Sequence, residues 1–110
     1  MDKLVRIADY RRPFGRTFFD RAELRKILAV YSDRVARGEW RDYAIDQRPD
    51  MAAFAVFRSS YDWPLFVIAK LGARGRRPAG WRVLSGRRPL IEGRTIDEVL
   101  SVFDQRPETA

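Results

Sequence analysis

The sequence predicts an α+β domain: an N-terminal helix, a four- or five-stranded antiparallel sheet and a short C-terminal helix, with the helices packed on one sheet face. Three observations lead there. Two capping boxes, Asp20 with Glu23 and Thr95 with Glu98, each open a stretch whose apolar residues recur at helical spacing. Between them the hydrophobic period becomes two, or gives way to short runs apolar on both faces, broken by turns rich in Pro, Gly and Ser. The chain has 110 residues, 45% hydrophobic and 13% aromatic, which suits one domain with a core of its own.

Residues 1–17 show no clear period. Leu4, Val5 and Ile7 suit a short edge strand, whereas Arg11-Arg12-Pro13-Phe14-Gly15-Arg16 interrupts regular structure, so a partly ordered leader is expected. The domain proper is expected over 18–105 and a frayed tail over 106–110. Asp20 is the N-cap of the first helix, and Phe19 before it can staple to Leu24. Leu24, Ile27, Leu28, Tyr31 and Val35 form one stripe, and Gly38 supplies a left-handed C′ residue, so the helix is expected over 21–37.

After Gly38, Tyr43 and Ile45 alternate with Asp42 and Asp46, the pattern of a half-buried strand. Arg48-Pro49-Asp50 turns the chain. The runs 52–57 and 64–69 are apolar on both faces and read as central strands, with Pro64 at a permitted first position. A basic loop over 72–80, a short strand over 81–84, a turn over 85–89 and a strand over 90–92 follow. Short turns make neighbours antiparallel. Ile96, Val99, Leu100 and Phe103 stripe a last helix over 96–104. Helices on one face leave a second apolar face, expected to be covered by the leader, by the basic loop or by a second copy in a symmetric homodimer.

Composition narrows the chemistry. There is no cysteine and no histidine. Disulfides, thiolate nucleophiles and cysteine zinc sites are excluded, as are the commonest general base and transition-metal ligand. No cofactor and no metal are expected. No apolar run approaches the roughly 18 residues of a membrane span, and the N-terminus lacks a signal-peptide core, so a cytoplasmic protein without membrane contact is expected.

Two groups of residues are candidate contact sites. Glu39, Trp40, Arg41, Asp42, Tyr43 and Asp46 crowd aromatics, an arginine and acids into one stretch, a candidate partner surface because Trp, Tyr and Arg anchor interfaces. The same aromatics equally suit the core or its boundary. Asp42 and Asp46 stand about 13 Å apart along a strand, too far for a catalytic carboxylate pair. The second group is basic. The chain carries 22 Lys+Arg against 15 Asp+Glu, a net charge of +7, and 71–94 holds seven arginines against one acid. Arg74, Arg76, Arg77, Arg82, Arg87, Arg88 and Arg94 are candidate polyanion contacts, with Trp81 and Tyr61 as stacking surfaces. The two arginine-bearing turns are expected at one end of the sheet. Gly72-x-x-Gly75 is not a phosphate-binding loop, since no Gly-Lys-Ser/Thr follows.

Phe18-Phe19, Glu23-Leu24, Val30-Tyr31, the block Gly38–Asp46, Phe54-x-Val56-Phe57-Arg58, Pro64-Leu65, Ile68-x-Lys70 and the closing Gly93, Val99-Leu100 and Asp104 resemble a known family. It is the small alphaproteobacterial domain of unknown function numbered two-seven-nine-four. The resemblance spans about 18–104 and implies a bacterial, cytoplasmic, single-domain protein. It implies no catalytic residue. The chain departs at 72–80, where glycines and Pro78 stand in place of a more lysine-rich loop. The expected function is a non-enzymatic interaction module that contacts another macromolecule through a surface. The alternative is a nucleic-acid-binding accessory protein using the arginines of 74–94.

Overall fold

The computed structural model describes residues 17–59 and 63–104. The expectations for the tail, and for the leader apart from Thr17, lie outside the described residues. Asp20 caps helix α1 (Arg21–Ala36): its carboxylate accepts the Glu23 N–H, and the Glu23 carboxylate accepts the Asp20 N–H, each at 2.8 Å. Glu23 also receives Lys70 Nζ at 2.7 Å, which fastens the start of α1 to the sheet. Asp20→Ala is expected to cost about 1 kcal/mol in a urea melt through the lost cap. A midpoint equal to that of the wild type would show that the box contributes nothing.

Five strands follow in a meander, each antiparallel to the next: β1 (Asp42–Gln47), β2 (Met51–Phe57), β3 (Phe66–Leu71), β4 (Gly80–Ser85) and β5 (Arg88–Gly93). Helix α2 (Ile96–Asp104) closes the chain. Its box also forms: Glu98 Oε1 accepts the N–H groups of Arg94 and Thr95 at 2.8 and 2.9 Å, and Thr95 Oγ1 accepts the Glu98 N–H at 3.2 Å. Those backbone donors hold the Glu98 carboxyl below its usual range.

Register sorts the side chains by face. Ala52↔Lys70, Phe54↔Ile68 and Ile68↔Val83 place Ala52, Phe54, Val56, Ile68, Trp81 and Val83 on one side. The helices cover that side. With Phe19, Ile27, Trp40, Ile96, Val99, Leu100 and Phe103 these residues make the core. Tyr31 of α1 meets Tyr43 and Phe54 over the β1–β2 half, with ring centroids 5.0 and 5.9 Å apart. Helix α2 packs on β4 and β5. Neither helix covers the opposite face, which holds Ala53, Ala55, Phe57, Val67, Ala69 and Leu71.

Three details depart from expectation. The third strand starts at Phe66 rather than Pro64, because the Leu65 N–H already donates to Val56 O and the Leu65 carbonyl accepts from the Gly86 N–H. The fourth turn shrinks to Gly86-Arg87, with Gly86 at φ +64°, and a bulge at Val83/Leu84 lets Pro89 enter the edge strand. In α1 the buried stripe is rotated. Leu28 and Val35 are exposed, while Arg34 is buried at 8% exposure. The cause is α2, which draws the Arg34 flank of α1 toward itself.

Candidate functional site

The block Gly38–Asp46 is first a joint. Gly38, at φ +78°, ends α1, and the Gly38 and Glu39 N–H groups return to Val35 O and Arg34 O at 2.9 Å. The buried Arg34 guanidinium then donates to Glu39 Oε1 at 3.1 Å and to the Phe103 carbonyl, so one side chain binds the joint to the end of α2. Its Nε is buried without a hydrogen bond; Asp33 Oδ2 lies 3.8 Å away, within ion-pair range only.

Trp40 is 2% exposed and belongs to the core rather than to a partner surface. Its ring meets Phe103 edge-on at 5.3 Å and lies 6.0 and 6.2 Å from Phe66 and Tyr31. Tyr43 stacks on Phe54 at 4.8 Å with its outer side in solvent. Burial raises the Tyr31 phenol above its ordinary value, and the Asp42 carboxylate adds to that rise. The acids have separate local tasks. Glu39 pairs with Arg34, Asp42 Oδ1 accepts the Tyr43 N–H at 2.9 Å, and Asp46 Oδ2 sits 2.9 Å from Arg48 Nε. No group of acids among the described residues converges enough to hold a metal ion. Of the six residues, Arg41, Asp42 and Asp46 are exposed on or beside β1, Tyr43 lies partly exposed on the helix-covered side against Phe54, and Trp40 and Glu39 serve the fold.

The arginines of 74–94 do not share one end of the sheet. A single strand, β4, separates the loop before it from the turn after it, so the two lie at opposite ends, about 20 Å apart at the usual rise. Arg94 follows β5 and returns to the first end. There Arg74 pairs with Asp50 Oδ2 at 2.5 Å, a contact that holds the Asp50 carboxyl below its usual range. Arg77 donates to Gly72 O at 2.8 Å. Arg82 lies across from Glu92, with Nε 2.9 Å from Oε2, close enough for an ion pair but not aligned for a hydrogen bond. Arg77, Arg82, Glu92 and Arg94 line a cleft of about 320 Å³. Arg76 and Arg94 form no ion pair with another described residue. Much of the charge at this end is thus spent internally.

Trp81 is also a core residue. It is 6% exposed, stacks on Phe19 at 6.0 Å and receives Lys70 over its ring at 5.9 Å. It is not available to stack on a ligand, and Tyr61 lies outside the described residues.

At the second end stands a residue that the sequence reading passed over. Trp63 is 77% exposed, the most exposed large hydrophobic side chain among the described residues. Arg87 lies over its ring, 5.6 Å from the centroid. The Gly86 N–H bond to Leu65 O, at 3.1 Å, draws the β4–β5 turn and the β2–β3 connection together and so positions this pair. Trp63, Pro64, Gly86 and Arg87 line an open hollow of about 560 Å³. Arg58, at the exit of β2, and Arg41, at the entry of β1, share this end with Arg87 and Arg88. All four are exposed and form no ion pair with another described residue. At about 4.8 Å per strand, five strands make this end roughly 19 Å wide. A signal for Trp63 existed in the sequence: a tryptophan before a proline, between two strands already filled with apolar residues, has no core position to occupy.

Residues 17–100 match the model of a family described as a protein of unknown function, DUF2794, and the chain belongs to that family. No curated protein and no solved structure matches the chain. The matched span opens at Thr17, whose N–H and hydroxyl donate to Arg48 O and Pro49 O, and runs into α2. It therefore takes in α1, the whole sheet and both ends of it. No helix among the described residues is long and apolar enough to cross a membrane.

Proposed function

We propose that this DUF2794 member is a non-enzymatic, cytoplasmic contact module that binds single-stranded nucleic acid at the Trp63 end of its sheet. One observation carries the reading: a tryptophan 77% exposed, with an arginine over its ring, on an end whose four arginines form no ion pair with another described residue. Leaving an indole in water forgoes the gain of burying it, so a stacking partner would recover free energy that the fold does not. Bases stack on aromatic side chains for about 1–3 kcal/mol each, whatever their identity, and arginines track the phosphates beside them. A width of roughly 19 Å suits a few nucleotides rather than a long duplex footprint. The absence of histidine and cysteine supports the non-enzymatic part of the reading.

Fluorescence anisotropy with short single-stranded and duplex probes, at several salt concentrations, tests it. Trp63→Ala should weaken single-strand binding by about 1–3 kcal/mol and leave the salt slope unchanged. Replacing Arg41, Arg58, Arg87 and Arg88 together by Ser should flatten the log–log slope by up to about 3 units, at about 0.7 per single-strand phosphate. Replacing Arg74, Arg76, Arg77 and Arg94 should change it less. No binding at low salt overturns the proposal, and so does a preference for an acidic polypeptide over the oligonucleotide.

A further inference from the structure

We propose that the cleft lined by Arg77, Arg82 and Arg94, where β3 leads over to β4, binds a small phosphate monoester such as a sugar phosphate. The cleft opens on the face that neither helix covers. Ala69↔Arg82 and Arg82↔Glu92 set Arg82 and Glu92 on that face, and Leu71 stands beside them. Gly80 approaches the Gly93 carbonyl so closely that a Cβ on it would stand 3.1 Å from the oxygen. That approach closes the start of β4 onto the end of β5 and brings Arg82 and Arg94 to one cleft.

The arginines are positioned before any ligand arrives. Arg74 and Arg77 exchange both backbone bonds, at 2.9 and 2.8 Å, around a tight turn with Gly75 at φ +58°. Arg74 is tied to Asp50, and Arg77 donates to Gly72 O at 2.8 Å. A guanidinium carries five N–H donors, so this one bond leaves Arg77 most of its own. The Arg94 N–H is held by Glu98 Oε1 at 2.8 Å, while its guanidinium forms no ion pair with another described residue. Arg82 stays close to Glu92, yet its buried Nε has no hydrogen bond. The ligand therefore needs no existing pair to break. It is met by the free Arg94 and by donors that the fold leaves unused.

Charge and size select the ligand. Three guanidinium groups meet one carboxylate, Glu92, an excess of two positive charges. A phosphate monoester carries about −1.5 to −2 at pH 7 and presents three oxygens, which suit the forked donors of arginine. A carboxylate ligand would leave about one of those charges uncompensated. The volume of about 320 Å³ stands at the lower limit of small-molecule sites, about 300–1,000 Å³, so the organic body is small. Leu71, Pro78 and Ala79 give that body an apolar wall, and Glu92 offers an acceptor to a ligand hydroxyl. Residues 1–16 do not complement the cleft in charge, since they carry five Lys+Arg against two Asp. This inference does not depend on what the Trp63 end binds, because the length of β4 separates the two.

Amide chemical-shift mapping of the full chain with ribose 5-phosphate, in a phosphate-free buffer, tests it. Saturable shifts should appear at Arg77, Gly80, Gly93 and Arg94, with Gly86 and Arg87 at the other end unmoved. Arg94→Ala, a change at an exposed site, should weaken binding about tenfold or more, the effect of losing one charge-assisted contact. Glu92→Gln should tighten the binding of inorganic phosphate, because the positive excess rises. Arg25→Ala, on the exposed side of α1, should leave both affinities as they are. No saturable shift at millimolar ribose 5-phosphate overturns the proposal. So does equal binding of ribose, which would take the phosphate out of the recognition. An affinity that Arg94→Ala leaves unchanged, or that Arg25→Ala lowers as much, overturns it too.

Discussion

Trp40→Ala is expected to destabilise the fold by about 3–5 kcal/mol, read as a lowered urea midpoint at unchanged slope. The indole is 2% exposed and lies at the junction of three elements. It meets Tyr31 of α1, Phe66 of β3 and Phe103 of α2, with centroids 5.3 to 6.2 Å away. Removing it opens a cavity between the helices and the sheet and also loosens the Arg34 bridge beside it. A domain of this size has about 5–15 kcal/mol in total, so the variant should be marginal. Had Trp40 been a surface anchor, its loss would cost within about 0.5 kcal/mol and would appear only in binding. A near-wild-type midpoint would therefore return Trp40 to the list of contact residues.

Phe54→Ala should cost a similar amount, about 3–5 kcal/mol. Phe54 is fully buried at the centre of the helix-covered face, stacked by Tyr43 at 4.8 Å and met edge-on by Tyr31 at 5.9 Å. Phe57 lies on the same strand but on the face that neither helix covers, and it is half-buried. Phe57→Ala should cost less than half as much. Equal losses in the two melts would mean that both sheet faces are buried alike, which contradicts the layer arrangement.

Local chemistry made the elements legible. Both capping boxes form as their residue types require, and both helices start within one residue of the predicted position. Alternation in β1 puts Tyr43 and Ile45 on one face and Asp42 and Asp46 on the other, as a side-chain period of two requires, but the expected half-burial is not found: Tyr43 and Ile45 are 43% and 40% exposed, because α1 reaches Tyr43 only through Tyr31. Tertiary placement was not legible. Whether Arg34 or Val35 is buried depends on which side of α1 receives α2, and both lie near the edge of the same apolar arc. The start of β3 moved because two loop hydrogen bonds claimed Leu65, and no periodicity reports those.

The candidate sites show the same division. Glu39, Trp40 and Arg41 stood out as a dense cluster, and the density has a structural cause: a helix end, a buried guanidinium and a core aromatic all meet there. The arginines of 74–94 looked contiguous in sequence, yet one strand between two turns puts them at opposite ends. Trp63 falls outside the apolar pattern of both neighbouring strands, and a loop is where an aromatic without a core position stays exposed.

The measurement that tests the Trp63 end most directly is intrinsic tryptophan fluorescence during titration with a short single-stranded oligonucleotide at low salt. Trp40 and Trp81 are buried at 2% and 6% exposure and Trp63 is 77% exposed, so a base stacking on the protein should report through one indole. A saturable quench is expected that disappears in Trp63→Phe, while part of the affinity remains because the phenyl ring still stacks and the arginines are intact. No quench at low salt, or a quench that Trp63→Phe leaves unchanged, would contradict it.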